Sequence, residues 1–442
     1  MGPIVDPVES DVKIPTRTGV VVIGGGIVGA STAFFLAQKG VPVVLCEKGH
    51  IGGEQSSRNW GWCRQMGRDP REIPLIVESI RLWNDMNHLT GAETGFRTTG
   101  LMFLSETDKD VAEHEAWLEH ARAHQLDTRM LSSREIAELA PGGEMRVKGA
   151  LYTPSDGRAE PQKAPPAIAR AAQGLGATVL TGCAVRGVET TGGRVVAVIT
   201  EKGRIACDAV VLAGGAWSRL FCGNLGLSLP QLKMRSSVMR TEKLDGGPEI
   251  GILGRGYGVR KRLDGGYTIA NREASIAEIV PDSFRLFFDF LPALRSEWSS
   301  LRMHIGERFV TEWRTPRRWQ LDQPSPFEAT RVLDPAPVAS INQAALADLA
   351  RAFPVFAQAR IAQQWAGMID VTPDAVPVIG PIDSVPGFFV ATGFSGHGFG
   401  IGPGAGRLMA DLVSGAPPIV DPTEFRFSRF TDGTKMRPQS HV

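Results

Sequence analysis

Cysteine, tyrosine and long apolar runs are scarce in this chain, and each scarcity excludes something. The 442 residues include five cysteines, scattered along the chain without a CxxC pair or a cysteine–histidine cluster. This spacing excludes the common zinc sites, so no metal is expected, and it predicts reduced thiols in a cytoplasmic protein. No apolar run approaches the ~20 residues of a membrane-spanning helix. The polar N-terminal stretch lacks the apolar core of a secretory signal.

An excess of charge of either sign is also missing. The 48 lysines and arginines nearly balance the 47 aspartates and glutamates, and the net charge is +1. This balance gives no reason to expect nucleic acid or an anionic membrane as a partner. A hydrophobic fraction of 43% is typical of a globular protein, and the length predicts two domains rather than one.

The chain is rich in glycine, and a glycine motif near the N-terminus is its most informative feature. Gly24-x-Gly26-x-x-Gly29 follows the apolar run VVVI and opens a helical pattern, and Glu47 ends a second apolar run. Gly24 allows a tight turn, Gly26 lets the backbone approach a pyrophosphate, and Gly29 lets helix and strand pack closely. The motif therefore predicts a dinucleotide site. The acid at position 47 favours a free ribose, and so FAD or NAD rather than NADP.

Apolar patterns along the chain predict a discontinuous two-domain organisation. Helical periodicity covers residues 74–90 and 163–173, while residues 178–218 read as a strand, a three-stranded meander and a buried strand. Residues 235–271 are also β-rich. The fold class is therefore α/β, α+β overall. We assign residues 1–95, 148–228 and 358–442 to the nucleotide-binding domain, and residues 96–147 and 229–357 to a substrate-binding domain.

Residues 283–294 form an aromatic helical pattern. Phe284, Phe287, Phe288 and Leu291 share one face at helical spacing. The favoured interpretation is packing of this face onto the second domain. The alternative is weak contact with a membrane surface or docking of a quinone.

A second glycine loop, residues 393–404, follows the apolar strand FFVAT and precedes a helix. Such a loop presents backbone N–H groups and a helix N-terminus to an electron-rich ligand. His397 lies among the glycines, where its ring could hydrogen-bond a flavin edge or act as a cation. The alternative is that His397 only orders the loop. Two glycine loops, each placed between a strand and a helix, favour a flavin over NAD.

Four segments carry a resemblance to a known family: GGGIVGASTAFFLAQKG, SSRNWGWCR, AVVLAGGAWS and GFFVATGFSGHGFGIGPGAGRLMADL. Together they resemble the FAD-dependent glycine/D-amino-acid oxidase family over most of the chain. The resemblance implies a Rossmann-type FAD-binding domain with an inserted antiparallel-sheet substrate domain. It also implies oxidation of the C–N bond of an amino acid to an imine by hydride transfer to flavin N5. Keto acid and ammonia would be the products, in an oxidase or a dehydrogenase.

The resemblance also implies where FAD lies. The ADP half would contact Gly24, Gly26, Gly29 and Glu47. The pyrophosphate would lie near Ser57 and Arg58, and the adenine would lie beside Val185. The ribityl chain would run along Gly214 and Trp217, and the isoalloxazine ring would contact Gly396, His397 and Gly398.

Three departures from the sarcosine oxidases of that family matter. Gly367 stands where they attach flavin through cysteine, so we expect non-covalent FAD. Gly400 stands where they carry a lysine that grips the substrate carboxylate, and Thr268 where another lysine promotes reaction with oxygen. These differences make a quinone-type electron acceptor an alternative to oxygen.

An amino-acid substrate needs a cation for its carboxylate, ideally an arginine. The candidates are Arg64, Arg260, Arg314, Arg317 and Arg318, with Arg64 and Arg314 favoured by their neighbours. Of the three tyrosines, Tyr257 and Tyr267 lie on a hairpin that the resemblance places over the flavin. Either could fix the carboxylate, and the alternative for both is ordinary β-sheet packing.

Other functions stay open at this stage. The enzyme could demethylate an N-methyl amino acid of the sarcosine type, or the chain could be a flavin subunit that relays electrons within a complex. An NAD-dependent dehydrogenase is disfavoured by the second glycine loop. Association into a homo-oligomer is left open.

Overall fold

The structure, a computed structural model, describes residues 2–271, 275–297 and 302–436. The strands in this part are β1 (Val20–Ile23), β2 (Val43–Cys46), β3 (Trp62–Cys63), β4 (Arg97–Thr98), β5 (Leu101–Ser105), β6 (Arg129–Leu131), β7 (Gly149–Thr153), β8 (Gly157–Arg158), β9 (Thr178–Leu180), β10 (Val185–Thr191), β11 (Arg194–Thr200), β12 (Gly203–Ala206), β13 (Ala209–Leu212), β14 (Leu232–Thr241), β15 (Gly251–Gly254), β16 (Tyr257–Lys261), β17 (Tyr267–Ala270), β18 (Ile276–Glu278), β19 (Arg302–His304), β20 (Ile361–Val371), β21 (Val378–Pro381) and β22 (Phe388–Thr392).

The α-helices in the same residues are α1 (Ile27–Gln38), α2 (Gln55–Arg58), α3 (Ile73–Thr90), α4 (Asp108–Ala123), α5 (Ser133–Leu139), α6 (Ala164–Gly174), α7 (Ser218–Asn224), α8 (Pro281–Arg285), α9 (Phe287–Glu297), α10 (Glu307–Arg314), α11 (Pro326–Ala329), α12 (Ala339–Ala352) and α13 (Gly398–Ser414).

A mostly parallel sheet forms the nucleotide-binding half of the molecule. Its strand order is β21–β22–β13–β1–β2–β9, and only β21 runs antiparallel to its neighbour within the described residues. The strand VVVI of β1 is buried on both faces, as expected for a central parallel strand. The α/β prediction is confirmed, as is the predicted order of strand, glycine turn, helix and strand from β1 to β2. The predicted meander is the sheet β10–β11–β12.

Helices α1 and α13, one after each glycine loop, cross in close contact over this sheet. A Cβ on Gly402 would lie 2.8 Å from the side chain of Ile27, and one on Gly406 would overlap Ser31. Small residues therefore let the two helix axes approach, which brings both glycine loops to the same edge of the sheet.

The second large sheet has the order β19–β18–β14–β17–β16–β15–β5–β7–β6, with β20 paired along the other edge of β14. Most neighbours are antiparallel, and α12 packs on one face over an apolar core. β7 and β20 belong to this sheet, although both fall within segments that we assigned from the sequence to the nucleotide-binding domain. The exact domain division stays a prediction.

The aromatic pattern at residues 283–294 is split between α8 and α9. The break at Leu286 turns that side chain inward, while Phe284 and Phe288 expose 68% and 84% of their surface. The predicted packing of these two phenylalanines onto the second domain is therefore wrong, because a continuous helical face does not form. Among the described residues, no helix is both long and apolar enough to cross a bilayer.

Candidate active site

One elongated cavity of about 360 Å³ runs along the carboxyl ends of the parallel strands. Ligands of open α/β sheets bind at this edge, because the glycine turns and helix N-termini meet there. The cavity begins at the turn after β1 and continues past the end of β13. It ends between β20, the segment around β3 and the second glycine loop.

The first glycine turn has the geometry that its motif predicts. Gly24 has a φ of +106°, which side-chain-bearing residues rarely adopt. A Cβ on Gly29 would overlap the carbonyl oxygen of Gly24, so only glycine lets α1 start this close to β1. Gly26 caps α1 and lines the cavity, and the first turn of α1 carries no acidic side chain. The positive end of α1 is thus available to a phosphate.

Glu47 lies at the end of β2 and lines the same part of the cavity. Its two carboxylate oxygens accept hydrogen bonds from the backbone N–H groups of Gly25 and Gly49, each at 2.7 Å. Burial raises the pKa of Glu47, and these N–H groups act against that rise. Each oxygen keeps further lone pairs, so the carboxylate can still accept from a ribose hydroxyl.

Most residues that the resemblance assigns to FAD line this cavity, namely Gly24, Gly26, Glu47, Arg58, Val185, Gly214, Trp217, Gly396, His397 and Gly398. Gly29 does not line the cavity but packs against Gly24 behind the lining. Ser57 does not line it, since its hydroxyl donates to the Glu54 carbonyl. The neighbouring Ser56 lines the cavity instead and accepts from the N–H of Ile27 at 2.8 Å.

The second glycine loop closes the opposite end. Gly396 has a φ of +86°, and α13 begins at Gly398 without an acidic residue in its first turn. The carboxylate of Asp370, at the end of β20, anchors the loop by accepting from the N–H of Gly393 at 2.7 Å. The N-terminus of α13 therefore points its partial positive charge toward the cavity.

His397 is buried at the start of α13. Its Nδ1 lies 3.3 Å from Oε2 of Glu72. Burial and the nearby charge of Arg68 lower the pKa of His397, against the opposing effect of Glu72, and so favour the uncharged ring. Of its two predicted roles, hydrogen bonding therefore fits this environment better than that of a cation.

Two of the departures from the sarcosine oxidases have steric reasons. A Cβ on Gly400 would lie 3.0 Å from the carbonyl oxygen of Trp62 and 3.1 Å from Cα of Cys63. A Cβ on Gly367 would lie 3.1 Å from the side chain of Arg58. The backbone of β3 therefore occupies the space that a lysine at position 400 would need.

Two buried arginines supply positive charge near that point. Arg64 and Arg68 both line the cavity and are 5% and 2% exposed. Arg64 donates to the carbonyl of Met66 and lies over the ring of Phe103 at 5.3 Å. Arg68 donates to the carbonyl of Arg64 at 3.1 Å. Sequence reasoning favoured Arg64 and missed Arg68, although both stand in the same loop.

The other candidate substrate ligands lie elsewhere. Arg314 lines a second cavity of about 670 Å³ beneath α10. The hydroxyl of Tyr257 is 3.8 Å from the sulfur of Met145, and the ring of Tyr267 packs 4.9 Å from that of Phe356. Both tyrosines belong to the core under α12. As a correction to the sequence-based expectation, they drop out as ligands for a carboxylate in the first cavity.

The remaining arginine candidates are held by carboxylates or lie away from the first cavity. Arg260 is buried in an ion pair with Glu160 at 2.9 Å, and Arg317 pairs with Asp282 at 2.9 Å. Arg318 donates to the carbonyl of Asn224. No group of three metal-ligating side chains occurs among the described residues.

The cavity fits FAD by its own chemistry. It has a glycine cradle at one end, helix N-termini without acids at both ends and a carboxylate for a ribose. Several buried polar atoms of its lining also have no hydrogen-bond partner within the described residues, which are Nε of Arg58, Nε1 of Trp62 and Nη1 of Arg68. Such atoms are rare in folded proteins unless a ligand or water satisfies them.

Comparison with known proteins agrees with this assignment. A model of the FAD dependent oxidoreductase family matches residues 19–412. The solved L-amino acid deaminase from Proteus myxofaciens, in complex with anthranilate, is 34% identical, with a TM-score of 0.93 over 98% of this chain and 97% of that chain. Glycine oxidase from Pseudomonas aeruginosa is 26% identical over 92% of this chain and 97% of its own length.

A longer relative is mitochondrial sarcosine dehydrogenase from Mus musculus. It is 26% identical over 100% of this chain, which spans only 45% of the mouse protein. The predicted family, enzyme class and cofactor are confirmed by these comparisons. The chain belongs to the FAD dependent oxidoreductase family, and the relatives named above include an L-amino acid deaminase, a glycine oxidase and a sarcosine dehydrogenase.

Proposed function

We propose that this protein oxidises the C–N bond of an L-amino acid with an apolar side chain, giving the 2-oxo acid and ammonia. The carrying observation is that Arg64 and Arg68 share one cavity with both glycine loops. A carboxylate held by these arginines would lie beside the end of the cavity that the second glycine loop closes. Charge-assisted hydrogen bonds from arginine suit a carboxylate better than any neutral donor.

The cavity lining supports an apolar substrate side chain. It includes six large aromatic and aliphatic residues, which are Trp60, Trp62, Val238, Met368, Ile369 and Phe399. Ligand pockets typically combine such walls with a few placed polar groups. A substrate with a charged side chain would lose its hydration here without gaining a partner.

FAD, when bound, supplies a hydride acceptor at N5. The chain's own task is to orient the substrate so that its α-hydrogen faces that acceptor. The acidic residues of the described lining are Glu47, Glu54 and Asp370. All three already accept hydrogen bonds from protein N–H groups, so none is a ready base. We therefore expect the substrate to react with a neutral amine.

The balance of the proposed reaction is simple. The α-carbon loses hydride, the amine nitrogen loses a proton to water, and a C=N bond forms. Water then adds to the imine, which releases ammonia and leaves the 2-oxo acid. The similarity to the Proteus myxofaciens deaminase supports the L configuration and a primary amine.

The main alternative is oxidation of an N-methyl amino acid, which the lower-identity similarity to sarcosine dehydrogenase supports. Formaldehyde would then replace ammonia as the second product. The steric block at Gly400 argues against this alternative, because it removes the lysine that the sarcosine oxidases use.

The electron acceptor is oxygen or a quinone-type molecule, and exposed aromatic side chains on three separate helices, α8, α9 and α10, favour the second. Phe284 and Phe288 project from α8 and α9, with Arg285 beside them, and Trp313 is exposed on α10. Aromatic and basic side chains together favour weak contact with a bilayer that contains anionic lipid. A quinone dissolved in that bilayer would then be within reach. The cytoplasmic location and self-association stay predictions.

Anaerobic titration of the purified flavoprotein tests the proposal. We expect L-amino acids with apolar side chains to bleach the flavin absorbance, and D-amino acids and sarcosine to leave it unchanged. Ammonia should appear in equal amount to the 2-oxo acid, without formaldehyde. Reoxidation should be faster with a water-soluble quinone analogue than with air. A bound flavin that no amino acid reduces would instead favour the electron-relay subunit.

A further inference from the structure

The turn that carries Arg64 and Arg68 is held by one buried carboxyl group, that of Asp156. Asp156 lies between β7 and β8 and is fully buried. Its Oδ1 accepts from the backbone N–H of Gln65 at 2.7 Å, and its Oδ2 accepts from that of Met66 at 3.3 Å. One side chain thus holds the two backbone N–H groups that follow Arg64 in the chain.

The same carboxyl group faces positive charge. Among the described residues, Arg64 and Arg68 are cations close enough to interact with it, and Cys63 and Tyr152 are titratable groups nearby. Burial raises the pKa of Asp156 to about 7, against the hydrogen bonds and the charge of Arg64. The group therefore changes charge within the physiological pH range.

We infer that Asp156 is a positioning residue, which sets Arg64 and Arg68 in place to bind the carboxylate of the substrate. This inference rests on the proposed function and deepens it. Asp156 does not line the cavity, so it acts only through the turn. Its two oxygens fix the backbone after Arg64, and its negative charge attracts both guanidinium groups. Arg68 in turn donates to the carbonyl of Arg64, which links the two arginines.

The variant Asp156→Asn separates these roles from simple packing. Asparagine has nearly the same size, but it has one acceptor oxygen, and its NH₂ group would face a backbone N–H group. A matched control is Asp127→Asn. Asp127 holds the same β7–β8 turn from the solvent side, through the N–H and hydroxyl groups of Ser155.

The test measures binding of benzoate and of its uncharged amide, benzamide, from the change in flavin absorbance of the holoenzyme. At pH 8 we expect Asp156→Asn to weaken benzoate binding about tenfold, a typical loss for a charge-assisted hydrogen bond. Benzamide binding and flavin content should stay unchanged, and Asp127→Asn should behave like the wild type with both ligands.

The pH dependence adds a second readout. Wild-type affinity for benzoate should fall as the pH drops from 8 to 6, because Asp156 becomes protonated, and the variant should lack this dependence. Protonation of His397 would act in the opposite direction. An equal loss for benzoate and benzamide, no loss for either, or a wild type that does not bind benzoate would each overturn the inference. Failure of every amino acid to reduce the flavin would instead refute the proposed function, since the benzoate assay needs no turnover.

Discussion

The two ends of the cavity are built by different means. At the adenine end the backbone does most of the work, through the turn at Gly24, the N-terminus of α1 and the N–H groups that hold Glu47. At the opposite end, buried side chains such as Arg64 and Arg68 face the cavity and are held by other buried polar groups. The first end therefore depends on the absence of side chains, and the second on keeping buried charges paired.

The largest effect is expected from a small change at the adenine end. Gly29→Ala places a methyl group against the carbonyl oxygen of Gly24, and α1 must then move away from β1. We expect loss of bound FAD, measured as flavin absorbance per chain, with a destabilisation of about 1–3 kcal/mol. Gly223→Ala in α7 is the control, because its Cβ would meet nothing within 4 Å. Full flavin content in Gly29→Ala would show that this end does not depend on close backbone approach.

The substrate end should respond to loss of a buried partner. Arg260 pairs with Glu160 and also donates to the carbonyl of Trp60, which lines the cavity. Glu160→Gln should lower the free energy of unfolding by about 3–5 kcal/mol at pH 7, because a buried charge loses its counter-charge. Chemical denaturation measures this difference.

The same variant carries a pH signature. Arg260 helps to hold the pKa of Glu160 at about 2, below its unfolded value. The stabilisation is therefore present above the unfolded pKa and is lost as the pH falls toward 2. The difference in the free energy of unfolding between wild type and Glu160→Gln should decrease as the pH is lowered from 6 to 3. Glu135, whose pKa is also about 2 but which is exposed, is the control, and Glu135→Gln should show little effect at any pH. If Glu160→Gln and Glu135→Gln lowered the free energy of unfolding equally, burial would not be the cause of the effect at Glu160.

A third test distinguishes the two favoured arginines. Arg64→Gln should raise KM for the amino acid about 10- to 100-fold. This corresponds to the loss of one charge-assisted hydrogen bond, which contributes ~1.5–3 kcal/mol. Arg314→Gln should leave KM unchanged, because Arg314 lines the second cavity. Steady-state kinetics at fixed acceptor concentration measure both. The opposite result would move the substrate site out of the first cavity.

The smallest effect concerns a surface that belongs to neither end. The double variant Phe284→Ser and Phe288→Ser should weaken binding to vesicles containing phosphatidylserine by about threefold to tenfold, without changing the flavin or the unfolding curve. Val12→Ser is the control, because Val12 is also an exposed apolar residue but lies far from α8 and α9 in the sequence. Unchanged vesicle binding in the double variant would remove membrane contact from the proposal.

The same contrast explains what the sequence could predict. The glycine turn, the second glycine loop and Glu47 are local signals, since each function follows from a few adjacent residues. Asp156 and Glu72 gave no signal, because their partners come from distant segments. For Tyr257 and Tyr267 the sequence left open a carboxylate ligand or ordinary β-sheet packing, and the structure places both in the core under α12. A change of one residue in strand register moves every side chain to the other face, and sequence spacing does not define that register.

The hydrogen bonds of Asp370 have a consequence for the order in which the protein folds during synthesis. Asp370 accepts hydrogen bonds from Gln231, just before β14, from Thr392 at the end of β22 and from Gly393 just after it. β22 pairs in parallel with β13. The first glycine turn leaves the ribosome before most of the sheet, and among the described strands β22 is synthesised last, followed by α13, which packs on α1. A nascent chain therefore carries an unfinished sheet edge until β22 has emerged, and we expect FAD to be captured only after β22 and α13 are synthesised.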